Sequence, residues 1–301
     1  MVQILLSTYN GARYLKALMQ SLLTQNYPHV KILIRDDGSS DGTVNLLREF
    51  ATTFANVEVV FGKNLGFVRS FFKLFELSSP TADYFALCDQ DDVWQKDKVS
   101  RAVGILSRCA RETAGLYCSR IAIVDENLKL LGYSALPTKG LSFRNALVEC
   151  QTPGCTTLVN QAARQLLLRE FPQQVCSHDW WIYLVISAFG TAVYDEEPRI
   201  FYRKHFANVF GISLGMINTW RVKIRQFLKT GKFQLVVKQA EEFRRIYGSS
   251  LSDENRRVLD RFLDGRNRLW NRLGHAMSCE VYRQSKRDHL ILKARIVLNR
   301  L

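Results

Sequence analysis

Three carboxylates crowd the segment Tyr84-Phe85-Ala86-Leu87-Cys88-Asp89-Gln90-Asp91-Asp92-Val93-Trp94, directly after an apolar run. The run from Tyr84 to Leu87 has the length and composition of a buried strand, so Asp89, Asp91 and Asp92 emerge together at its carboxyl end. Carboxylates packed this closely repel one another unless a cation or a shared proton compensates. A hard divalent ion with oxygen ligands is one such compensation. Mg²⁺ or Mn²⁺ commonly sits between one or two carboxylates and substrate phosphates. The plainer alternative is an acidic turn capping a helix that starts near Lys96.

The elements that would hold these groups follow from the flanking pattern. Val30 to Arg35 reads as a strand, Asp36-Asp37-Gly38-Ser39-Ser40-Asp41-Gly42-Thr43 as a loop, and Asp41 suits the N-cap of a helix running to about Phe50. The opening run from Val2 breaks at Ser7-Thr8-Tyr9-Asn10-Gly11 into another polar turn before a helix. Three strand–turn–helix units within the first 110 residues imply a parallel sheet with its loops gathered on one edge, and in open α/β sheets that carboxyl edge binds ligands.

The motifs STYNG, IRDDGSSDGT, NLGF at 64–67 and CDQDDVW occur here in the order and spacing of family 2 glycosyltransferases, and the chain resembles that family. QDDVW is most similar to the bacterial rhamnosyltransferase branch. The resemblance continues through Gly154-Cys155-Thr156-Thr157, His178-Asp179-Trp180-Trp181 and Tyr202-Arg203-Lys204-His205, and so covers residues 1–211. It implies an inverting, metal-dependent enzyme of the GT-A fold: α/β, Rossmann-like, with a mostly parallel central sheet. It also implies nucleotide-sugar contacts at Thr8, Tyr9, Asn10, Asp36, Asp37, Asn64, Asp89, Gln90, Gly154, Arg203 and His205. Asp36 or Asp37 would accept a hydrogen bond from the pyrimidine, although Asp37 also suits a simple Asx-type turn. Asp91 is the firmest implied ligand of Mg²⁺ or Mn²⁺, with Asp89 or Asp92 in support and His205 completing the shell or meeting phosphate.

Asp179 is the expected general base, opening a helix over 179–189 where the family commonly carries a Glu-Asp or His-Asp pair. Capping of that helix is the alternative task. Trp180, Trp181 and His178 are candidate acceptor contacts, the tryptophans offering a flat apolar face or else filling the core.

Charge divides the chain. Residues 1–200 carry 20 Lys+Arg and 20 Asp+Glu, whereas residues 201–301 carry 22 Lys+Arg and 8 Asp+Glu, the whole of the +14 net charge. No proline follows Pro198, and helical periodicity takes over. The expected domains are therefore 1–211, catalytic, and 212–301, a basic amphipathic helical extension with helices near 214–229, 232–247, 253–273 and 279–300. In the first of these, Arg221, Lys223, Arg225 and Lys229 border an apolar face; in the last, Arg283, Lys286, Arg287, Lys293 and Arg295 do so. Such faces suit an anionic membrane surface, or equally a soluble bundle that buries its own stripes, with a homo-oligomer as a further use. Nothing matches a nucleic-acid-binding module.

Seven cysteines, odd in number and mostly in apolar runs, read as reduced thiols. With no signal segment and no apolar stretch of membrane-spanning length, the expected location is cytoplasmic, peripheral to the inner face of the plasma membrane. The expected reaction moves L-rhamnose from dTDP-L-rhamnose to a hydroxyl of a lipid-linked surface glycan, a donor and acceptor that the resemblance alone implies. A competing reading is a haloacid-dehalogenase-type Mg²⁺ phosphatase, since Asp89-Gln90-Asp91-Asp92-Val93 also matches that nucleophile loop. There the loop follows the first strand, and here strand–helix units precede it. The third reading, a non-catalytic membrane scaffold, predicts broken site residues, and every candidate carboxylate is intact.

Overall fold

The computed structural model describes residues 1–205, 231–264, 269–278 and 280–298. The chain forms two compact units. The first comprises Met1–Leu136, Thr152–Arg169 and Gly190–Ile212; the second comprises Pro137–Gln151, Glu170–Phe189 and Ser213–Leu301. The division is therefore not one cut near residue 211. Two earlier segments join the helical unit, and the His178–Trp181 motif, expected in the catalytic domain, belongs to that second unit.

In the first unit, strands β1 (Val2–Thr8), β2 (Val30–Asp36), β3 (Val57–Phe61) and β4 (Tyr84–Cys88) alternate with helices α1 (Ala12–Leu23), α2 (Thr43–Thr53) and α3 (Phe67–Leu77). These four strands are parallel, in the order β4-β1-β2-β3. Beyond β4 the sheet continues through β9 (Leu158–Asn160), β6 (Gly115–Ser119) and β10 (Thr191–Asp195), with β9 antiparallel to both of its neighbours. β1 is almost continuously apolar because both faces are covered, as parallel sheets require. Ile4, Leu6, Ile32, Ile34 and Cys88 share one core with Leu15, Leu18 and Met19 of α1. On β4, the Phe85 ring meets Phe75 of α3 in a tilted contact, ring centroids 6.5 Å apart. Each such side chain stabilises the sheet by about 1.5–3 kcal/mol on burial. At the start of β10 the backbone passes so close to Ala114 that a Cβ on Gly190 would lie 1.9 Å from its carbonyl oxygen, so the approach needs glycine.

A second, four-stranded sheet joins β5 (Val93–Trp94), β11 (Ile200–Arg203), β7 (Ala122–Val124) and β8 (Leu130–Tyr133) in that order. It links the segment just after the three carboxylates to residues 200–203, more than a hundred positions away. Helices α4 (Lys98–Leu106), α5 (Phe143–Ala146) and α6 (Gln161–Leu167) lie between these strands in the chain, α5 in the second unit. Asp41 does not cap α2 from the expected position: Gly42 stands there, and Asp41 Oδ1 accepts from the Thr43 amide at 2.9 Å.

The second unit is helical: α5, α7 (His178–Phe189), α8 (Gly231–Tyr247), α9 (Asp253–Asp264), α10 (Leu269–Met277) and α11 (Lys286–Val297). Phe143, Trp181, Phe189, Phe243 and Tyr247 form its aromatic core, with ring centroids 5.3–6.4 Å apart. Phe243 and Tyr247 stand four residues apart on α8 and so share one helix face. The expected helix over 253–273 corresponds to α9 and α10, the latter running on through Gly274 to Met277, and α11 starts only at Lys286 rather than near 279, where Ser285 Oγ accepts from the Asp288 amide. The expected helix over 214–229, with Arg221, Lys223, Arg225 and Lys229, lies outside the described residues. Cys88, Cys109, Cys118, Cys150, Cys155 and Cys176 are all free thiols. Among the described residues no helix is long and apolar enough to cross a membrane.

Candidate active site

Parallel pairing brings the ends of β1, β2 and β4 side by side, with Thr8 in register with Asp36 and Leu6 with Cys88. The three loops that follow therefore meet. Gln90 clamps the first of them: its Oε1 accepts from the Tyr9 amide at 2.8 Å and its Nε2 donates to the Tyr9 carbonyl at 3.0 Å. A Cβ on Gly11 would sit 2.3 Å from Gln90 Oε1, so a larger residue there would push the Gln90 side chain out of this contact. Asn10 adopts φ 50°, a left-handed conformation that asparagine tolerates. Its amide donates to Ser39 Oγ at 2.9 Å, and its Oδ1 accepts from the Ser40 amide at 2.8 Å.

Asp36 and Asp37, expected to meet a pyrimidine, are both enclosed and turned to protein donors. Asp36 accepts from Thr8 Oγ1 at 3.0 Å and from Ser39 through its amide at 2.9 Å and its hydroxyl at 2.6 Å. Asp37 pairs with the Arg35 guanidinium and accepts from the amides of Leu65 at 2.7 Å and Gly66 at 2.9 Å, bracing the Asn64–Phe67 turn. The groups left exposed on these loops include Tyr9, Asn10 and Asn64.

His205 Nε2 lies 2.9 Å from Asp91 Oδ2, with the carboxylate 18% exposed. The imidazole stacks on Tyr14 of α1 at 5.0 Å, and the Arg203 guanidinium covers that ring at 4.9 Å. Arg203, expected to meet the nucleotide, is instead nearly enclosed at 5% exposure. It donates from Nε to the Asp91 carbonyl at 3.0 Å and from its guanidinium to the Glu126 carbonyl. It thus holds the carboxylate loop against β11 and sets His205 beside Asp91.

Asp92 departs most from expectation. It is wholly buried, and its Oδ1 accepts from the Arg203 amide at 3.1 Å. Asp89, Asp92 and Cys155 each bring one potential ligand atom within 4.8 Å of the others, but Asp92 and Cys155 are closed off. Burial, and then repulsion from Asp91 and Asp89, pushes the Asp92 carboxyl well above its ordinary range, and burial likewise raises the Cys155 thiol. A protonated thiol is a poor ligand for a hard cation. Beneath the loop, Lys98 is also buried, its Nζ 3.2 Å from the Trp94 ring centre. Burial brings it down to about 8, against the pull of Cys88, Cys155, Asp92 and Asp89. Asp91 and His205 offer one oxygen and one nitrogen donor of the kind Mg²⁺ or Mn²⁺ can take, whereas the close threefold group among the described residues is Asp89 with the enclosed Asp92 and Cys155.

Gly154 opens a single 3₁₀ turn over Gly154–Thr156, and Thr156 Oγ1 accepts from the Ser119 amide at 3.2 Å, a structural task. Tyr14, Glu126 and Lys98 were not legible as site residues. Tyr14 lies in the first turn of α1, Glu126 contributes through its main chain, and Lys98 reads in sequence as an ordinary surface lysine.

In the second unit, Asp179 Oδ1 accepts from the Trp180 amide at 2.8 Å and from Ser177 Oγ, so it stands at the opening of α7 as expected. Trp181 is completely buried against Phe243 and Tyr247, filling the core rather than offering a face to a sugar. His178 is also enclosed, and burial outweighs the attraction of Asp179 to bring its imidazole down to about 4. Trp180 is half-buried and donates from Nε1 to the Ala146 carbonyl at 2.6 Å.

The dTDP-rhamnosyl transferase RfbG of Shigella flexneri is 27% identical over 221 residues, 69% of this chain and 74% of that protein. Among solved structures, S. aureus TarS 1–349 in complex with UDP superposes with a TM-score of 0.59 at 12% identity, covering 92% of this chain and 74% of the other. The mannosyltransferase PcManGT from Pyrobaculum calidifontis, in complex with GDP-Man and Mn²⁺, gives 0.51 at 15% identity, over 99% and 87%. At these identities the structural likeness speaks for the fold, which is of GT-A type with helices at the C-terminal end. The profile described as "Glycosyl transferase family 2" matches residues 3–162, more than half of the chain. With the strand-end loops that carry its motifs gathered on one sheet edge, the protein belongs to glycosyl transferase family 2.

Proposed function

We propose that the protein is an inverting transferase that moves L-rhamnose from dTDP-L-rhamnose to a hydroxyl of a lipid-linked surface polysaccharide, working at the inner face of the plasma membrane. The observation that carries the reaction is Asp91 held against His205 beside the nucleotide-side loops. The similarity to the Shigella rhamnosyl transferase supports the donor. In this reading Tyr9, Asn10 and Asn64 meet the nucleotide, and Asp36 and Asp37 keep their loops in shape from behind. Asp91 and His205, supported by Asp89, would hold Mg²⁺ or Mn²⁺. Such an ion offsets charge developing on the departing diphosphate. The acceptor oxygen attacks the anomeric carbon as the bond to the diphosphate oxygen breaks on the opposite side, and the hydroxyl proton passes to Asp179. Configuration inverts because attack and departure lie on opposite faces.

The donor assignment is tested by offering dTDP-L-rhamnose alongside UDP- and GDP-linked sugars with a lipid-linked acceptor, and weighing the products by mass spectrometry. A product heavier by one deoxyhexose is expected. Transfer from another donor, with none from dTDP-L-rhamnose, overturns it.

Asp92 gives a separate expectation. Asp92→Asn keeps an oxygen for the Arg203 amide and should largely preserve Mn²⁺ affinity in the presence of nucleoside diphosphate. Asp92→Ala should weaken it by about 10–100-fold, as losses behind metal ligands typically do. Titration calorimetry of the two variants decides the matter: equal losses would make Asp92 a ligand in its own right.

A further inference from the structure

The four most exposed large apolar side chains among the described residues lie on α10, on α11 or at the C-terminal cap of α11: Met277 at 84%, Trp270 at 80%, Leu290 at 66% and Leu298, the cap, at 55%. Trp270 and Met277 are seven positions apart on α10, two turns along one face. Along α11 and its cap the exposed residues Arg287, Leu290, Ala294 and Leu298 recur at intervals of three and four, which makes a single stripe. The opposite face of α11 buries Leu292, Ile296 and also Arg295, which is only 3% exposed. A water-facing helix ordinarily turns its arginines out and its leucines in. Here a leucine stripe faces out while an arginine lies inside. The two helices pack on each other, with the Arg272 guanidinium donating to the Val297 carbonyl at 3.1 Å.

The charge around this surface selects its partner. Residues 269–298 carry six Lys+Arg against two Asp+Glu, and Lys286 and Arg287 are exposed at the start of α11, with Lys293 half-exposed along it. A second copy of the same surface would bring like charges together. An anionic lipid surface accepts the apolar side chains and complements the charge at once. Tryptophan is favoured at such boundaries because its ring is apolar and its N–H polar. We infer that the outward faces of α10 and α11 form a membrane-docking surface for anionic lipid, with Trp270, Met277, Leu290 and Leu298 entering the headgroup boundary. This deepens the membrane placement proposed above and is independent of the donor assignment.

The test uses the full chain and vesicles of phosphatidylcholine, alone or with phosphatidylglycerol. Wild type should sediment with the anionic vesicles, much less with the neutral ones, and should be released by raised salt. Trp270→Ser/Met277→Ser and Leu290→Ser/Leu298→Ser should each bind at least about tenfold more weakly and melt as wild type does, because the replaced side chains already face out. Lys286→Glu/Arg287→Glu should reduce binding to anionic vesicles while leaving the apolar contacts intact. Vesicle binding unchanged in all three variants overturns the proposal, as does a wild type that ignores anionic vesicles. Sedimentation velocity without vesicles supplies the other contrary outcome: a dimer in wild type that the serine variants abolish assigns the surface to a second copy. Sugar transfer to a soluble acceptor, measured in parallel, fails only if the proposed reaction itself is wrong.

Discussion

Asp91→Ala is expected to lower sugar transfer by about 10³-fold or more while leaving the protein folded. Charge stabilisation by a divalent ion is worth several kcal/mol, and each 1.4 kcal/mol is a factor of ten in rate. Asp91, like Asp89, is a partly exposed carboxylate of the loop, and it meets His205 Nε2 at 2.9 Å. Its loss removes an oxygen donor and leaves the imidazole without that partner. The fold should tolerate the change, because the contact that anchors the loop to Arg203 runs through the Asp91 carbonyl, which alanine retains. Three measurements separate the effects: thermal melting, Mn²⁺ titration with nucleoside diphosphate present, and product formation. Unchanged melting with lost Mn²⁺ binding and lost transfer is the expected pattern. Full turnover by Asp91→Ala in the presence of a chelator would falsify the metal-dependent reading.

Asp179→Asn should retain nucleotide binding and lose transfer by about 10²–10⁴-fold, the usual contribution of a general base. The substitution is well matched to the geometry. Asp179 uses Oδ1 to accept from the Trp180 amide and Ser177 Oγ, and asparagine offers an oxygen in the same place. The opening of α7 is thereby kept while the proton-accepting carboxylate is removed. If capping were the whole task of this residue, the asparagine variant would work at nearly the wild-type rate, and the base would have to be sought elsewhere. Calorimetry with nucleoside diphosphate and a product assay on one preparation distinguish the two results.

How far these expectations could be read in advance differs from element to element. The strands ending at Thr8, Asp36 and Cys88 were visible as apolar runs broken by polar, glycine-containing turns, because local periodicity and turn chemistry belong to neighbouring residues. Asp89, Asp91 and Asp92 were indistinguishable in that reading, being three acids in one short loop. Their separation comes from Arg203. Its main-chain amide takes up Asp92, and its side chain holds the Asp91 carbonyl. The tail shows the same limit: α8 matched its apolar spacing, yet whether Arg295 or Leu290 faces outward depends on what packs against α11, which spacing alone does not say.

By itself, then, the amino-acid sequence determined the strand-end loops, the acidic and glycine residues within them, and the concentration of positive charge in the last hundred residues. These follow from local pattern and from composition. Only the tertiary structure decided which carboxylate stays open beside His205 and which is enclosed, that Tyr14 supports the imidazole, and that Trp181 fills a helical core in the second unit. Each depends on contacts between segments far apart in the chain. Burial and hydrogen-bond partners at such contacts, rather than residue type, set whether a carboxylate, an imidazole or an indole is available for chemistry.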